Sequence, residues 1–494
     1  MFDWLKKINK LDDDVTEYKK DSGITAMPAI ALVNRAKKLI EENKLDEAEK
    51  ILETSFSLAK EESLAYKYLG IIYDRKKQFK KSIEMYQHSA DLNPEDKDIW
   101  KFLGTAFLNE GNFEKSIKAY ENANKITPLN TDIYTGWGLG YMKMKNYQEA
   151  RNKFVEAIKL NRYNSSALFF SAICESKIGM LDLAESKLKF LVSMGPNDIN
   201  YYEYANIKFL KGNYNDAIFN AKKSIEFNPK ILPAYILLIK IYSIQRDLKN
   251  CKMYYEKAVE NDLSGDNLNE NYGLALFNMG QFKDSKLSLL KAYENNLNSE
   301  NITSKLLIAN LILENSQYIP LLTEKLNSLN RENLALRFKT AVENYKNGNI
   351  KTALESFRKL KENFEQKFII DYFIALCYEK LSNPLKTKEY FESSIEDNPL
   401  FLNTHIEFAN HLLSINDPSD AQRKLRKALK IFPDNVDVLN LMFHTCYILV
   451  KDNVCEYNVK EAMEIANKIT DPEKFKWYNE LEELRKIYSE RDLN

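Results

Sequence analysis

An all-α array of helix-turn-helix repeats is the fold class that this 494-residue sequence predicts, and three observations predict it. Glycine and proline number 14 and 12, about 3% and 2% of the chain against usual levels of roughly 7% and 5%. So little backbone punctuation argues against sandwiches and barrels. Gly70, Gly104 and Gly138 recur every 34 residues with aromatic and small residues in fixed register around them. Within each period the apolar positions fall three, four and seven apart, the spacing of one helix face. Hydrophobic residues at 44% and charged residues at 29% suffice for a core and are too apolar for a disordered chain.

The first helix of each period reads Tyr66-Leu69-Gly70-Tyr73, Trp100-Leu103-Gly104-Phe107 and Tyr134-Trp137-Gly138-Tyr141. The second carries Ser82-Tyr86-Ser89, Ser116-Tyr120-Ala123 and Ala150-Phe154-Ala157. A small residue on the first helix lets the second approach, and the second helix's aromatic fills the space between neighbours. Glycines 111, 179, 212, 280 and 348 each fall seven positions past the small residue, where the first helix must stop; positive φ is expected there. Pro384 and Pro418 open second helices, where a missing N–H is harmless. Prolines 94, 128, 196, 229, 399 and 433 separate the periods.

This pattern resembles the tetratricopeptide repeat, a 34-residue helical hairpin with Trp, Leu-Gly, Tyr, Ala, Phe, Ala and Pro positions. The frame continues through Ala172, Ala184 and Pro196, shortens by one residue to Ala205, Ala217 and Pro229, and resumes at Ile239, Cys251, Tyr255 and Ala258. Gly273, Ser285 and Ala292 follow, then Ala341, Ala353 and Phe357, then Ala375, Thr387 and Phe391, then Ala409, Ala421 and Ala428. The resemblance implies about twelve units stacked in a right-handed superhelical solenoid with terminal cap helices. The expected organisation is a leader or capping helix over 1–28, repeats over 29–299, a divergent hairpin over 300–333, repeats over 334–470 and a capping helix over 471–494. The hairpin keeps Leu306, Leu307, Leu311 and Leu321 but loses the small residues, and its Pro320 falls late. The last repeat has about seven extra residues between Phe443 and Ala462, which predicts a lengthened helix or loop around Lys451 to Tyr457.

Chemistry is harder to find. There is no GxxxxGK, HExxH, GxSxG or CxxC pair, and Gly136-Trp137-Gly138-Leu139-Gly140 lies inside the helical frame. His444, Cys446 and Cys455 form the one local metal-like set. Residues two apart on a helix point about 200° from each other, so His444 and Cys446 do not share an ion while that helix holds. Cys174, Cys251, Cys377 and Cys446 read as small core residues. No catalytic residue, metal or cofactor is therefore expected. Lysine plus arginine and aspartate plus glutamate both number 71, which gives no field to attract nucleic acid. Five cysteines without paired spacing read as a reducing, cytoplasmic setting. No apolar run approaches the roughly 20 residues of a membrane span. Phe2, Trp4, Leu5, Ile8 and Leu11 at the start fit a cap, a protein-docking helix or a membrane contact.

The resemblance implies protein binding in a groove lined by the first helices. Family groove positions lie three before and one after the small residue. The apolar ones are Ile71, Leu139, Phe169, Ile173, Tyr202, Ile236, Leu274, Phe338, Val342, Tyr372, Leu376 and Ile406, and the polar ones include Lys67, Lys101, Thr105, Thr135, Asn206 and Asn410. The lysine and asparagine clamp with which some relatives hold acidic chaperone tails is missing. The reading is a scaffold or adaptor that takes an apolar or amphipathic segment of a protein partner. The alternative is a structural component of a large assembly, such as an envelope-associated or motility complex.

Overall fold

The computed structural model describes residues 26–56, 62–452, 456–469 and 478–491, and its regular structure is helical throughout. The chain divides into two compact units, residues 1–224 and 225–494. The first contains α1 (Ala26–Glu41), α2 (Leu45–Phe56), α3 (Ser63–Arg75), α4 (Phe79–Leu92), α5 (Ile99–Glu110), α6 (Phe113–Ile126), α7 (Thr131–Lys143), α8 (Tyr147–Leu160), α9 (Ser165–Lys177), α10 (Leu181–Met194) and α11 (Asp198–Leu210), and the boundary falls within α12 (Tyr214–Phe227). The second contains α13 (Leu232–Ile244), α14 (Leu248–Glu260), α15 (Asp266–Asn278), α16 (Phe282–Tyr293), α17 (Glu300–Ile312), α18 (Ile319–Leu329), α19 (Leu334–Lys346), α20 (Ile350–Lys361), α21 (Lys367–Lys380), α22 (Pro384–Asp397), α23 (Leu402–Ser414), α24 (Pro418–Ile431), α25 (Val436–Asp452), α26 (Glu456–Ala466) and α27 (Tyr478–Arg491). In each unit the helices pack as consecutive hairpins.

One turn geometry joins the two helices of a hairpin. The five glycines expected at positive φ adopt it, at 92°, 82°, 76°, 77° and 82° for Gly111, Gly179, Gly212, Gly280 and Gly348. In the same register Asn43, Lys77, Lys145, Arg246, Glu314, Ser382 and Asn416 take positive φ without being glycine. The next residue is often Asn or Asp, and its side chain caps the second helix: Asn112 accepts from Lys115 N, Asn146 from Glu149 N, Asp247 from Asn250 N, Asn383 from Lys386 N and Asp417 from Asp420 N. Each such cap contributes about 1 kcal/mol, a structural reason for many of the asparagines.

The small-to-large interlock is as close as the sequence implies. A Cβ added to Gly70 would lie 2.4 Å from the Tyr86 ring, and one added to Gly138 would lie 2.7 Å from Phe154. Both rings are buried.

The hairpin expected to diverge keeps the turn register, since Glu314 takes φ 53° seven positions past Leu307. Leu307 fills the small-residue position and is fully buried. A 3-10 turn at Ser316–Tyr318 delays α18, so Pro320 stands in its first turn. At the other end, α25 runs for 17 residues, and residues 453–455 of the stretch expected to lengthen lie outside the described residues. Leu481 of α27 packs into the cluster formed by α25 and α26. Phe2 to Leu11, expected as a leader or capping helix, and Cys455 lie outside the described residues.

In the second unit α21 is enclosed on every side, with Phe368 through Tyr378 all buried. A long-range clasp contributes. The Gln281 side-chain amide donates to the Leu400 carbonyl at 2.8 Å, and that of Gln366 donates to Asn278 Oδ1 at 3.0 Å. The Phe282 ring meets Phe401 at 5.5 Å and Phe368 at 6.4 Å between centroids. Gly280 is needed there twice: its φ is positive, and a Cβ would lie 3.1 Å from Phe401 Cβ.

Candidate functional site

The first helices of the first unit, α3, α5, α7 and α9, present a common face on which a pocket of about 110 Å³ opens. Asp74 comes from α3, Lys101, Thr105, Leu108 and Asn109 from α5, and Asp132, Thr135 and Leu139 from α7. Asn164, Ser166 and Phe170 close the side formed by α9 and its N-terminus. Tyr120 of α6 reaches this face because Gly136 has no side chain; a Cβ there would fall 2.3 Å from the Tyr120 hydroxyl.

The hydrogen bonds of the wall run inward. Thr105 Oγ1 donates to the Lys101 carbonyl at 3.0 Å and lies 2.9 Å from the Tyr120 hydroxyl. With the Thr105 hydrogen so engaged, Tyr120 is the donor of that pair. Thr135 Oγ1 donates to the Thr131 carbonyl at 2.7 Å, and the Asn164 amide donates to the Thr131 and Thr135 hydroxyls at 2.8 and 3.2 Å. Asn164 Oδ1 caps α9 through Ala167 N.

Charge on this face is unevenly matched. Lys101 Nζ lies 2.9 Å from Asp98 Oδ1, and buried Lys67 lies 2.9 Å from Asp96 and 3.9 Å from Asp98. Burial opposes ionisation of Asp98, but Lys101 and Lys67 hold its carboxyl below the usual range. Asp74 has the opposite fate. Burial raises its pKa, with only a hydrogen bond from Asn109 opposing, and its Oδ1 is buried without a partner.

The sequence-predicted positions divide by burial. In the first unit, Ile71 and Leu139 are buried, Leu139 in the pocket wall; Phe169, Ile173, Tyr202 and Asn206 are half-buried on α9 and α11. Burial raises the Glu203 pKa, while Asn206 and Lys177 lower it. In the second unit Leu274 and Ile406 are half-buried and Asn410 is exposed. Ile236, Tyr372 and Leu376 are buried.

Phe338 and Val342 correct the expectation of an open groove. They are 0% and 1% exposed, with the Phe338 ring 5.9, 5.6 and 5.3 Å from those of Phe357, Phe364 and Phe373. They line core because α20, the loop after it and α21 bring Phe357, Phe364 and Phe373 around Phe338. Tyr372 is covered too, against Phe373, Phe391 and Phe401.

Several pocket residues stand outside the two groove positions per helix read from the frame. Asp74 and Leu108 lie four past the small residue, and Asp132 and Ser166 six before it. Continuing the three-and-four spacing one turn each way would have found them.

A second hollow of about 360 Å³ in the other unit has Glu300, Lys305, Asn330, Asn333, Glu365 and Gln366 among its lining. Its polar groups satisfy one another: Lys305 pairs with Glu365 and Gln366, and Asn330 and Asn333 donate to Glu300. Among the described residues no group of three His, Cys, Asp or Glu could hold a metal ion, and no helix is long and apolar enough to cross a membrane. Cys174, Cys251, Cys377 and Cys446 are buried, and burial pushes each thiol up to about 12.

Residues 69–130 and 131–164 match models of the tetratricopeptide repeat family. No curated protein matches the sequence. Among solved structures, the chain is similar to a chain of the Cut9–Hcn1 hetero-tetramer of the APC/C at 10% identity, covering 93% of this chain and 96% of that one with a TM-score of 0.44. A tetratricopeptide repeat protein from Parabacteroides merdae matches at 21% identity over 50% of this chain and 98% of its own, with a TM-score of 0.41. YrrB, described as a repeat protein with an unusual peptide-binding site, matches at 18% identity over 37% of this chain and 95% of its own, with a TM-score of 0.34.

Proposed function

The chain is a tetratricopeptide repeat protein, an architecture that serves as a scaffold for protein–protein interaction, and on that premise we propose that its first unit binds an amphipathic segment of a partner protein. The contact runs along the first-helix face from α3 to α11. The observation that carries this reading is the pocket on α3, α5, α7 and α9, in a row of first helices whose groove positions Phe169, Ile173 and Tyr202 are half-buried. Apolar walls and a few convergent polar groups are what a recognition site for a side chain requires. In this reading the protein recruits and does not catalyse, and the second unit contributes rigidity around α21.

The test is capture from the native source with mass-spectrometric cross-link mapping, comparing wild type with Ile173→Lys combined with Tyr202→Lys. Both sites are half-buried, and an unchanged melting curve would establish that the variant is folded. Cross-links placing one or two proteins against α5 to α11, lost in the variant, are the expected result. Capture that the variant leaves unchanged would remove the first-helix face from the function and favour a structural part of a larger assembly.

A further inference from the structure

The pocket on α3, α5, α7 and α9 has a chemical bias. Four of its hydroxyl and amide groups are engaged within the wall: Thr105 on the Lys101 carbonyl, Thr135 on the Thr131 carbonyl, Tyr120 on Thr105 and Asn164 on Thr131 and Thr135; Asn109 is hydrogen-bonded to Asp74, and Ser166 stands at the exposed rim. What these hydroxyls leave toward a ligand are acceptor lone pairs. Two carboxylates, Asp74 and Asp132, join the same lining, and both act on the Tyr120 phenol. Among the described residues neither has an ion-pair partner, and Asp74 Oδ1 has no hydrogen-bond partner. The one cation of the lining, Lys101, is held by Asp98 at 2.9 Å. Leu108, Leu139 and Phe170 supply apolar wall. The volume, about 110 Å³, is below the roughly 300 Å³ at which pockets for whole small molecules begin. It suits a single extended side chain.

We propose that this pocket receives one basic side chain, arginine or lysine, from the partner segment, with its N–H donors on Asp74 and Asp132 and its methylene stem along Leu108, Leu139 and Phe170. The assignment rests on the reading of the first-helix face as the protein-binding surface. A basic side chain brings donors and a positive charge to a wall that has acceptors and unbalanced negative charge. Lys67 and Lys101 do not neutralise the site, because Lys67 is held by Asp96 and Lys101 by Asp98.

The experiment is selection of random displayed decapeptides on the full chain, on Asp74→Asn, on Asp132→Asn and on the Ile173→Lys and Tyr202→Lys double variant. Each variant is first checked by thermal melting, and the two near-isosteric amides guard against loss of fold in either one. Wild type is expected to enrich peptides with one arginine or lysine at a fixed position. Replacing that residue with alanine should weaken binding about tenfold or more, and the two amide variants should shrink that ratio toward unity. Enriched peptides without a basic preference, or with an acidic one drawn to Lys101, overturn the pocket assignment. If they still depend on Ile173 and Tyr202, the wider reading stands. Absence of enrichment, or enrichment indifferent to every variant, overturns both.

Discussion

Gly70 and Tyr86 show how one missing methyl sets the distance between two helices. A Cβ on Gly70 would stand 2.4 Å from the Tyr86 ring, which is 1% exposed and enclosed by the core. Alanine raises helix propensity by up to about 1 kcal/mol, while forced overpacking costs about 1–3 kcal/mol. Gly70→Ala is therefore expected to lower stability in urea titration, and a gain would refute the interlock. His405 gives a pH signature. Burial, assisted by the charge of Lys424, holds its pKa below the ordinary value against a 2.9 Å hydrogen bond to the Pro399 carbonyl. The unfolded chain then binds more protons than the folded one below about pH 6.5, so this residue's contribution is present above that pH and lost as pH falls toward the folded pKa. His405→Gln should flatten that part of the curve of urea midpoint against pH. A curve of unchanged slope would count against it.

At the scale of the element, the fold was legible wherever a residue type answers a backbone demand. Five glycines named the positive-φ turns in advance, because glycine takes that conformation at little cost. Lys77, Lys145 and Arg246 did not name theirs, since the register and the following cap impose the same geometry on a residue that gives no sign of it. The candidate site was half legible. Periodicity located the edge of each first helix that turns from its own hairpin, and so placed Leu139, Thr105 and Thr135 at the pocket, but cannot say what covers an edge. Phe338 and Val342 obey the spacing and are nevertheless core, Phe338 among rings from α20, α21 and the loop between them. Phe338→Ala should cost about 3–5 kcal/mol in chemical denaturation. Ile173→Lys, on a half-buried edge, should stay within about 1 kcal/mol. Equal losses would mean that both positions are core.

For the whole molecule, the two units lead to a prediction about fragments. Repeat arrays gain stability from local interfaces between neighbours, and each unit has its own buried clusters. A fragment of residues 1–230, which retains α12 entire, should melt as a cooperative helical protein by circular dichroism. Failure to fold would mean that the first unit depends on the second. The second unit has a property that neighbour contacts alone do not supply. Its clasp joins Gln281 to Leu400 across 119 residues, so the repeats between them cannot peel away one hairpin at a time while it holds. Under tension applied at the chain ends, that stretch would resist as a closed loop and then yield in one event. Its full extension would add roughly 400 Å of contour, and a force–extension trace would display it as one long step among the short ones of the other repeats.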